Sequence, residues 1–228
     1  MSKKKPSKKH ALSTRIWHWI NAISLIILFM SGLNISNAHR YLYWGNTGFD
    51  PADAWLNVIR FPGWATIPGR YDLAEARDWH ALAAWPFALA LLFMWIAMLM
   101  NRHFSHDITT SKAEWRPSFI WKDIIEHAKG NFHHDPVAGK YSFLQKLSYG
   151  LVLGIMLPLM IVTGLAISPG FEPAAPWLVD LLGGRQSARS IHFITAFSLL
   201  AFFIVHIVLV LITGPFRQIK DMIFGGKA

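Results

Sequence analysis

The sequence predicts an all-α integral membrane protein: a four-transmembrane-helix bundle with structured external loops, one membrane domain spanning residues 1–228. Hydrophobic residues make up 53% of the chain, and its mean hydropathy is +0.32. Four separate apolar runs, 16–33, 79–100, 149–167 and 191–213, each approach or exceed the roughly 20 residues that cross a bilayer as a helix. A single large soluble core does not account for four such runs. Eleven tryptophans, several flanking the runs (Trp17, Trp19, Trp79, Trp177), suit an interfacial aromatic belt.

The charge distribution sets the expected topology. The net charge of +9 invites a nucleic-acid reading, but the basic residues sort by side. With four spans both termini lie together; that side carries sixteen Lys and Arg, against six on the other. Positive residues mark the cytoplasmic face, so both termini are expected inside, with 34–78 and 168–190 outside. The MSKKKPSKKH arm is then a topology signal and a contact for anionic lipid, and no nucleic-acid partner is expected. The first helix is expected to be retained rather than cleaved, because its apolar stretch is long for a signal peptide. Cysteine is absent, which excludes disulfides, covalently attached c-type haem and cysteine-ligated iron–sulfur clusters.

Taken in order, the first run places His18 about one turn inside the cytoplasmic end. The following loop, rich in Gly, Pro and aromatic residues, is expected to form an ordered cap, with a short amphipathic piece at 52–59. Asp72 and Glu75 resemble a capping box that starts the second helix near Leu73 and sets His80 about two turns in. Pro86 and Pro158 interrupt the second and third runs, as membrane helices tolerate. In the 101–146 loop, WKDIIEHAKG reads as a surface helix, and His103, His106, His127, His133 and His134 read as solvated loop residues. Ser142 and Gln145 form a second capping box ahead of the third helix, which holds Gly150, Gly154 and Gly164, read first as close-packing positions. A short amphipathic segment at 176–182 precedes the fourth helix, for which Ser187 is a plausible N-cap.

The fourth run carries the chemistry. His192 and His206 are fourteen positions apart, so they fall within about 40° of one helix face and about 21 Å apart along it. An imidazole in hydrocarbon marks a polar partner, a proton path or a metal. The expected helix directions sort four histidines by depth: His80 with His192 outside, His18 with His206 inside. Zinc asks for about four ligands, whereas haem brings its own equatorial nitrogens and needs axial ligands from facing helices. Two haems b are therefore expected, with iron held by His18 and His206 at the inner level and by His80 and His192 at the outer. Arg15, Arg77 and Arg189 each precede one of these histidines by three residues, in RIWH, RDWH and RSIH. That spacing shares a helix face and suits pairing with haem propionates; snorkelling to the interface accounts for any one of them singly.

These marks resemble the prokaryotic four-helix di-haem cytochrome b family, which includes membrane subunits of nickel–iron hydrogenases and formate dehydrogenases. The resemblance rests on R-x-x-H-W at Arg15, His18 and Trp19, on His80 early in the second helix, and on H-x13-H at His192 and His206. NAHRYLYWG, FPGW, LPLMIVTGLAISPG and PWLVDLLGGRQSARSIHF are similar to stretches of the thiosulfate-reductase-type branch. The resemblance implies two b-type haems, quinone as an exchangeable substrate, and a periplasmic oxidoreductase partner, often of molybdopterin type. It also implies residence in the bacterial inner membrane, as an electron-transfer subunit rather than the catalytic one. Two other classes stay open at this point. One is a self-sufficient superoxide:quinone oxidoreductase with a positive external entry formed by Arg70, Arg77, Arg185 and Arg189. The other is a haem-free anchor or transporter whose histidines serve packing or proton transfer.

Overall fold

The computed structural model describes residues 11–100, 108–129 and 141–226. The basic arm up to His10 and His103, His106, His133 and His134 lie outside the described residues. Four helices are long and apolar enough to cross a membrane: α1 (Leu12–Ala38), α2 (Leu73–Met100), a continuous span Phe143–Ile167, and α7 (Arg185–Ile212). They contain 25 to 28 residues, about 40 Å at the usual helical rise. Each outlasts its apolar run, because the flanking polar turns continue the helix into the interfacial layer. Only 11% of the most apolar stretch of α7 is buried, and Ile204, Val205, Val208 and Leu211 face outward. Side chains of that kind on the outer surface require lipid as their solvent.

The third span has three parts: α4 (Phe143–Leu151), one π-helical turn at Val152–Met156, and α5 (Leu157–Ile167). Pro158 lies just beyond the π turn, where its missing N–H and its ring would otherwise disturb the i−4 ladder. Pro86 stays within α2. Both capping expectations hold at the N-terminal side chain. Asp72 Oδ1 accepts the Glu75 amide at 3.0 Å, and Ser142 and Gln145 form both halves of a capping box. A Cβ placed on Gly150 or Gly154 would meet nothing within 4 Å, so neither glycine is a close-packing position among the described residues. Gly164 is the tight one.

Two expectations need correction. Ser187 does not cap α7; the helix starts at Arg185 behind Gly184. Gly184 has φ +108°, and a Cβ there would lie 2.4 Å from the Gly45 carbonyl, so only glycine allows the chain to enter the helix at that point. Ser187, one turn inside, instead accepts the Gly45 amide at 2.7 Å and donates to the Gly183 carbonyl at 3.0 Å. The segment 52–59 is not one amphipathic piece. A 3₁₀ turn at Pro51–Asp53, capped by Asp50, leads into β2 (Leu56–Asn57), which pairs antiparallel with β1 (Tyr41–Leu42). The stacking of Trp55 on Trp44, with ring centroids 5.5 Å apart, accompanies this hairpin and rewards an extended chain over a helix.

The chain divides into two compact units. The larger comprises residues 1–94 and 161–228. Within it the long loop is bonded to the helices rather than draped over them. Asn34, fully buried on α1, donates to the Pro68 and Arg70 carbonyls at 3.0 and 2.8 Å. Asn37 clamps the Phe61 backbone through both of its amide atoms. Trp55 Nε1 donates to Ser190 Oγ, which donates to the Tyr43 carbonyl. The expected short helix is present as α6 (Trp177–Leu181), and Leu178 and Val179 pack with Ala166, Ala175 and Ala188. A further amphipathic helix that the sequence reading did not anticipate, α8 (Pro215–Phe224), ends the described chain.

The smaller unit, residues 95–160, includes the expected surface helix as α3 (Pro117–Ala128). Its centre is a buried ion pair between Lys146 Nζ and Glu114 Oε1 at 2.9 Å, beside an edge-on contact of Trp115 with Phe143. Burial by itself would raise the Glu114 pKa. The Lys146 ammonium and the Ser111 amide outweigh it and hold the carboxyl below its usual value. His127 bonds to the Asp123 carbonyl and to Ser142, a structural role within this unit.

Candidate haem-binding sites

The four intramembrane histidines all belong to the larger unit, and the fold joins them in two pairs. His80 of α2 faces His192 of α7 with ring centroids 6.3 Å apart and ring planes at 58°. His18 of α1 faces His206 of α7 at 6.4 Å and 54°. The 14-residue spacing on α7 separates the pairs by about 21 Å. α1 repeats that spacing: His18 stands at one level, and Gly32, fourteen residues on, touches His80 at the other.

These separations can be compared with what a metal requires. A metal–nitrogen bond of about 2.0–2.1 Å, with the ring centroid about 1.1 Å behind the nitrogen, puts two axial imidazoles about 6.3 Å apart centre to centre. Imidazoles in direct packing or hydrogen-bonded to each other have no reason to keep that gap twice. No group of three or more His, Cys, Asp or Glu side chains converges among the described residues. A metal held here therefore has two protein ligands and must bring the rest of its coordination with it, as haem iron does. The donor sets fit the group.

The rings of His80 and His192 are held from behind. Ser31 Oγ lies 2.9 Å from His80 Nδ1, and Thr163 Oγ1 lies 2.8 Å from His192 Nδ1. A Cβ on Gly32 would sit 3.5 Å from His80 Cε1, and one on Gly164 would sit 3.4 Å from His192 Cε1. At the other pair Phe202 stacks on His206 at 6.2 Å and 17°, and Trp19 meets His18 edge-on. Between the levels Phe197 gathers Phe193, Phe29 and the loop residue Phe61. Sequence reasoning missed Ser31, Thr163 and Gly32. The visible signal was the repeated hydroxyl–glycine dipeptide, Ser31-Gly32 and Thr163-Gly164, in two apolar runs.

Comparison with known proteins decides the family. The family model described as prokaryotic cytochrome b561 matches residues 9–225. The chain belongs to the prokaryotic cytochrome b561 family. Similar proteins include a putative protein-methionine-sulfoxide reductase subunit, YedZ1, of Azospira oryzae, 27% identical over 86% of this chain and 86% of its own length. Another is a probable Ni/Fe-hydrogenase B-type cytochrome subunit of Cupriavidus necator, 22% identical over 85% of this chain and 74% of its own. This chain is a multi-pass membrane cytochrome b, a b-type haem protein of electron transfer. That sets aside the reading as a haem-free anchor or transporter.

The arginines of this cytochrome are placed unequally. Arg15 is buried; its Nη1 donates at 2.5 Å to the Ile223 carbonyl, and Trp19 Nε1 donates to the Met222 carbonyl, so α1 caps the end of α8. Arg15 Nε has no hydrogen-bond partner among the described residues. Arg189 Nη1 donates to Gln186 Oε1 at 3.0 Å, and Arg77 is exposed. Arg185 pairs with Glu172 and donates to the Ile167 carbonyl. His39, which ends α1, lies within the field of three of these cations. Burial lowers its pKa first, and Arg189, Arg77 and Arg185 lower it further.

Proposed function

We propose that the chain, acting as one membrane domain, binds two haems b and passes electrons between the quinone pool and an oxidoreductase partner subunit. In this reading His80 and His192 hold the outer iron, and His18 and His206 hold the inner. The single observation that carries it is the pair of imidazole pairs, 6.3 and 6.4 Å across, stacked about 21 Å apart along one helix. Bound haem supplies a one-electron couple that cycles without proton transfer to the iron. The chain's own residues place each couple at a fixed depth and exclude water with apolar helix faces. Arg77 and Arg189, one turn from the outer ligands, offer cations to the outer propionates. Arg15, whose guanidinium keeps an Nε unpartnered among the described residues, does so at the inner level.

The similarity to subunits named for a methionine-sulfoxide reductase and a hydrogenase supports an oxidoreductase partner. We assign that partner to the periplasmic side, as a molybdopterin-type subunit, and both termini to the cytoplasm. The basic residues concentrate on the terminal side, and the ordered loops lie beyond His80 and His192 on the other. The test is purification followed by haem extraction and a visible spectrum. Two low-spin haems b per chain, reducible by a quinol, are expected; one haem per chain, or a high-spin spectrum, refutes the reading. The convergence of Arg77, Arg185 and Arg189 around His39 favours a second reading, oxidation of superoxide at the outer haem with quinone as acceptor. Superoxide-driven quinone reduction by the isolated chain distinguishes the two.

A further inference from the structure

We propose that Ser31 and Thr163 are positioning residues for the outer haem, each accepting the Nδ1–H of one axial histidine and leaving its Nε2 for iron. The inference rests on the reading of His80 and His192 as the outer ligands and adds what fixes their tautomer and electron-donating strength.

The argument is one of hydrogen accounting. The Ser31 hydroxyl has a single proton, and its oxygen lies 2.7 Å from the Ile27 carbonyl, which has none to give. The hydroxyl therefore donates to that carbonyl. Its 2.9 Å contact with His80 Nδ1 must then be made by a proton on the ring. His80 is the Nδ1–H tautomer, with its free lone pair on Nε2. His192 Nδ1 likewise lies 2.8 Å from the Thr163 hydroxyl oxygen. Iron bound through Nε2 of a neutral imidazole leaves the ring proton on Nδ1, so the threonine oxygen accepts there too. Both hydroxyl residues are fully buried, so water does not compete for either hydroxyl.

The glycines complete the device. Each hydroxyl is followed by a glycine whose absent Cβ would stand 3.4 to 3.5 Å from Cε1 of the same ring. The imidazole thus rests directly on helix backbone, which lets Nδ1 reach the hydroxyl. Two different helices, α1 and α5, repeat this Ser/Thr-Gly arrangement, each for a histidine on another helix. An Nδ1–H hydrogen bond raises the basicity of a ligating imidazole and fixes its orientation. More basic axial ligands favour oxidised iron. Ser31 and Thr163 therefore hold the outer haem at a lower potential than bare imidazoles would, and Ser31 stands about 20 Å along α1 from His18, too far to act on the inner haem.

The experiment uses the full-length haem-loaded protein with Ser31→Ala and Thr163→Val, followed by potentiometric titration in the visible and by low-temperature electron paramagnetic resonance. The outer component is the one that His80→Ala removes. In each variant the reduced-to-oxidised ratio of that component at fixed potential is expected to rise about tenfold, about 59 mV for one electron. Its low-spin resonance should shift with it, the inner component staying put and Thr163→Ser restoring the original values. An outer midpoint and resonance unmoved in both variants overturns the proposal. If a variant sheds the outer haem, Thr163→Ser and Ser31→Thr decide. Wild-type signals in these hydroxyl-retaining forms support the proposal, and loss of haem there overturns it. If His80→Ala keeps both components, the ligand reading itself has failed. If His80→Ala removes one and the hydroxyl variants change nothing, only this inference has.

Discussion

Removing one axial histidine tests the site most directly, because the paired geometry makes the outcome non-additive. The rings of His80 and His192 are 6.3 Å apart and, in the proposed reading, share one iron position, while the His18–His206 pair lies about 21 Å away along α7. His80→Ala is therefore expected to lower haem content from two per chain to one, and His192→Ala to do the same. The double substitution should still leave one, because the second change removes a ligand from a haem already lost. Combining His80→Ala with His18→Ala should leave none. Where a haem persists on one remaining ligand, both members of its pair must give the same five-coordinate, high-spin signature. The assay is haem extracted per mole of purified chain, with the visible α-band followed in parallel. A His80→Ala, His192→Ala double variant with no haem, or a shared loss between His18 and His192, refutes the pairing.

Three further outcomes follow from contacts away from the ligands. Lys146→Met leaves the Glu114 carboxylate, 1% exposed, without its cation, a loss of about 3–5 kcal/mol; an unchanged thermal unfolding profile contradicts this. Asn34→Ala removes two hydrogen bonds, but the Pro68 carbonyl keeps Thr66 Oγ1 as a donor at 2.9 Å, so only the Arg70 carbonyl is orphaned. Destabilisation of about 1–3 kcal/mol is expected, checked by melting with the haem band as probe. His39 has a folded pKa below its ordinary value of 6.5. Above that pH both folded and unfolded states hold a neutral ring and it contributes nothing. As pH falls through 6.5 toward the folded pKa, the unfolded chain takes up the proton first and folded stability is lost. His39→Gln should remove this acid sensitivity, so its melting temperature should exceed that of the wild type at pH 5 and match it at pH 7.5.

The sequence by itself determined the four spans, the pairing of His18 with His206 and of His80 with His192, and the family. The family came through the resemblance of motifs and loop stretches; the spans and the pairing depend on linear quantities, namely the length of an apolar run, helical rise and residue spacing. The start of α2 near Leu73 and the Ser142 cap were legible for the same reason, since a capping box is satisfied within four residues. Tertiary structure decided what depends on another segment. α7 takes Gly184 rather than Ser187 as its N-cap because the Gly45 carbonyl occupies the space of a Cβ, a contact across 139 residues that no local pattern encodes. The chain at 52–59 turns and extends because Trp55 finds Trp44 and Ser190. Arg15 has the i, i+3 relation to His18 that suggests a propionate anchor, yet one of its nitrogens is committed to α8, whose approach the sequence does not announce. Ser31 and Thr163 read as ordinary small residues in apolar helices. They become partners of the imidazoles only when α1 meets α2 and α5 meets α7, because a hydrogen bond is set by distances of a few tenths of an ångström between chains that spacing alone cannot bring together.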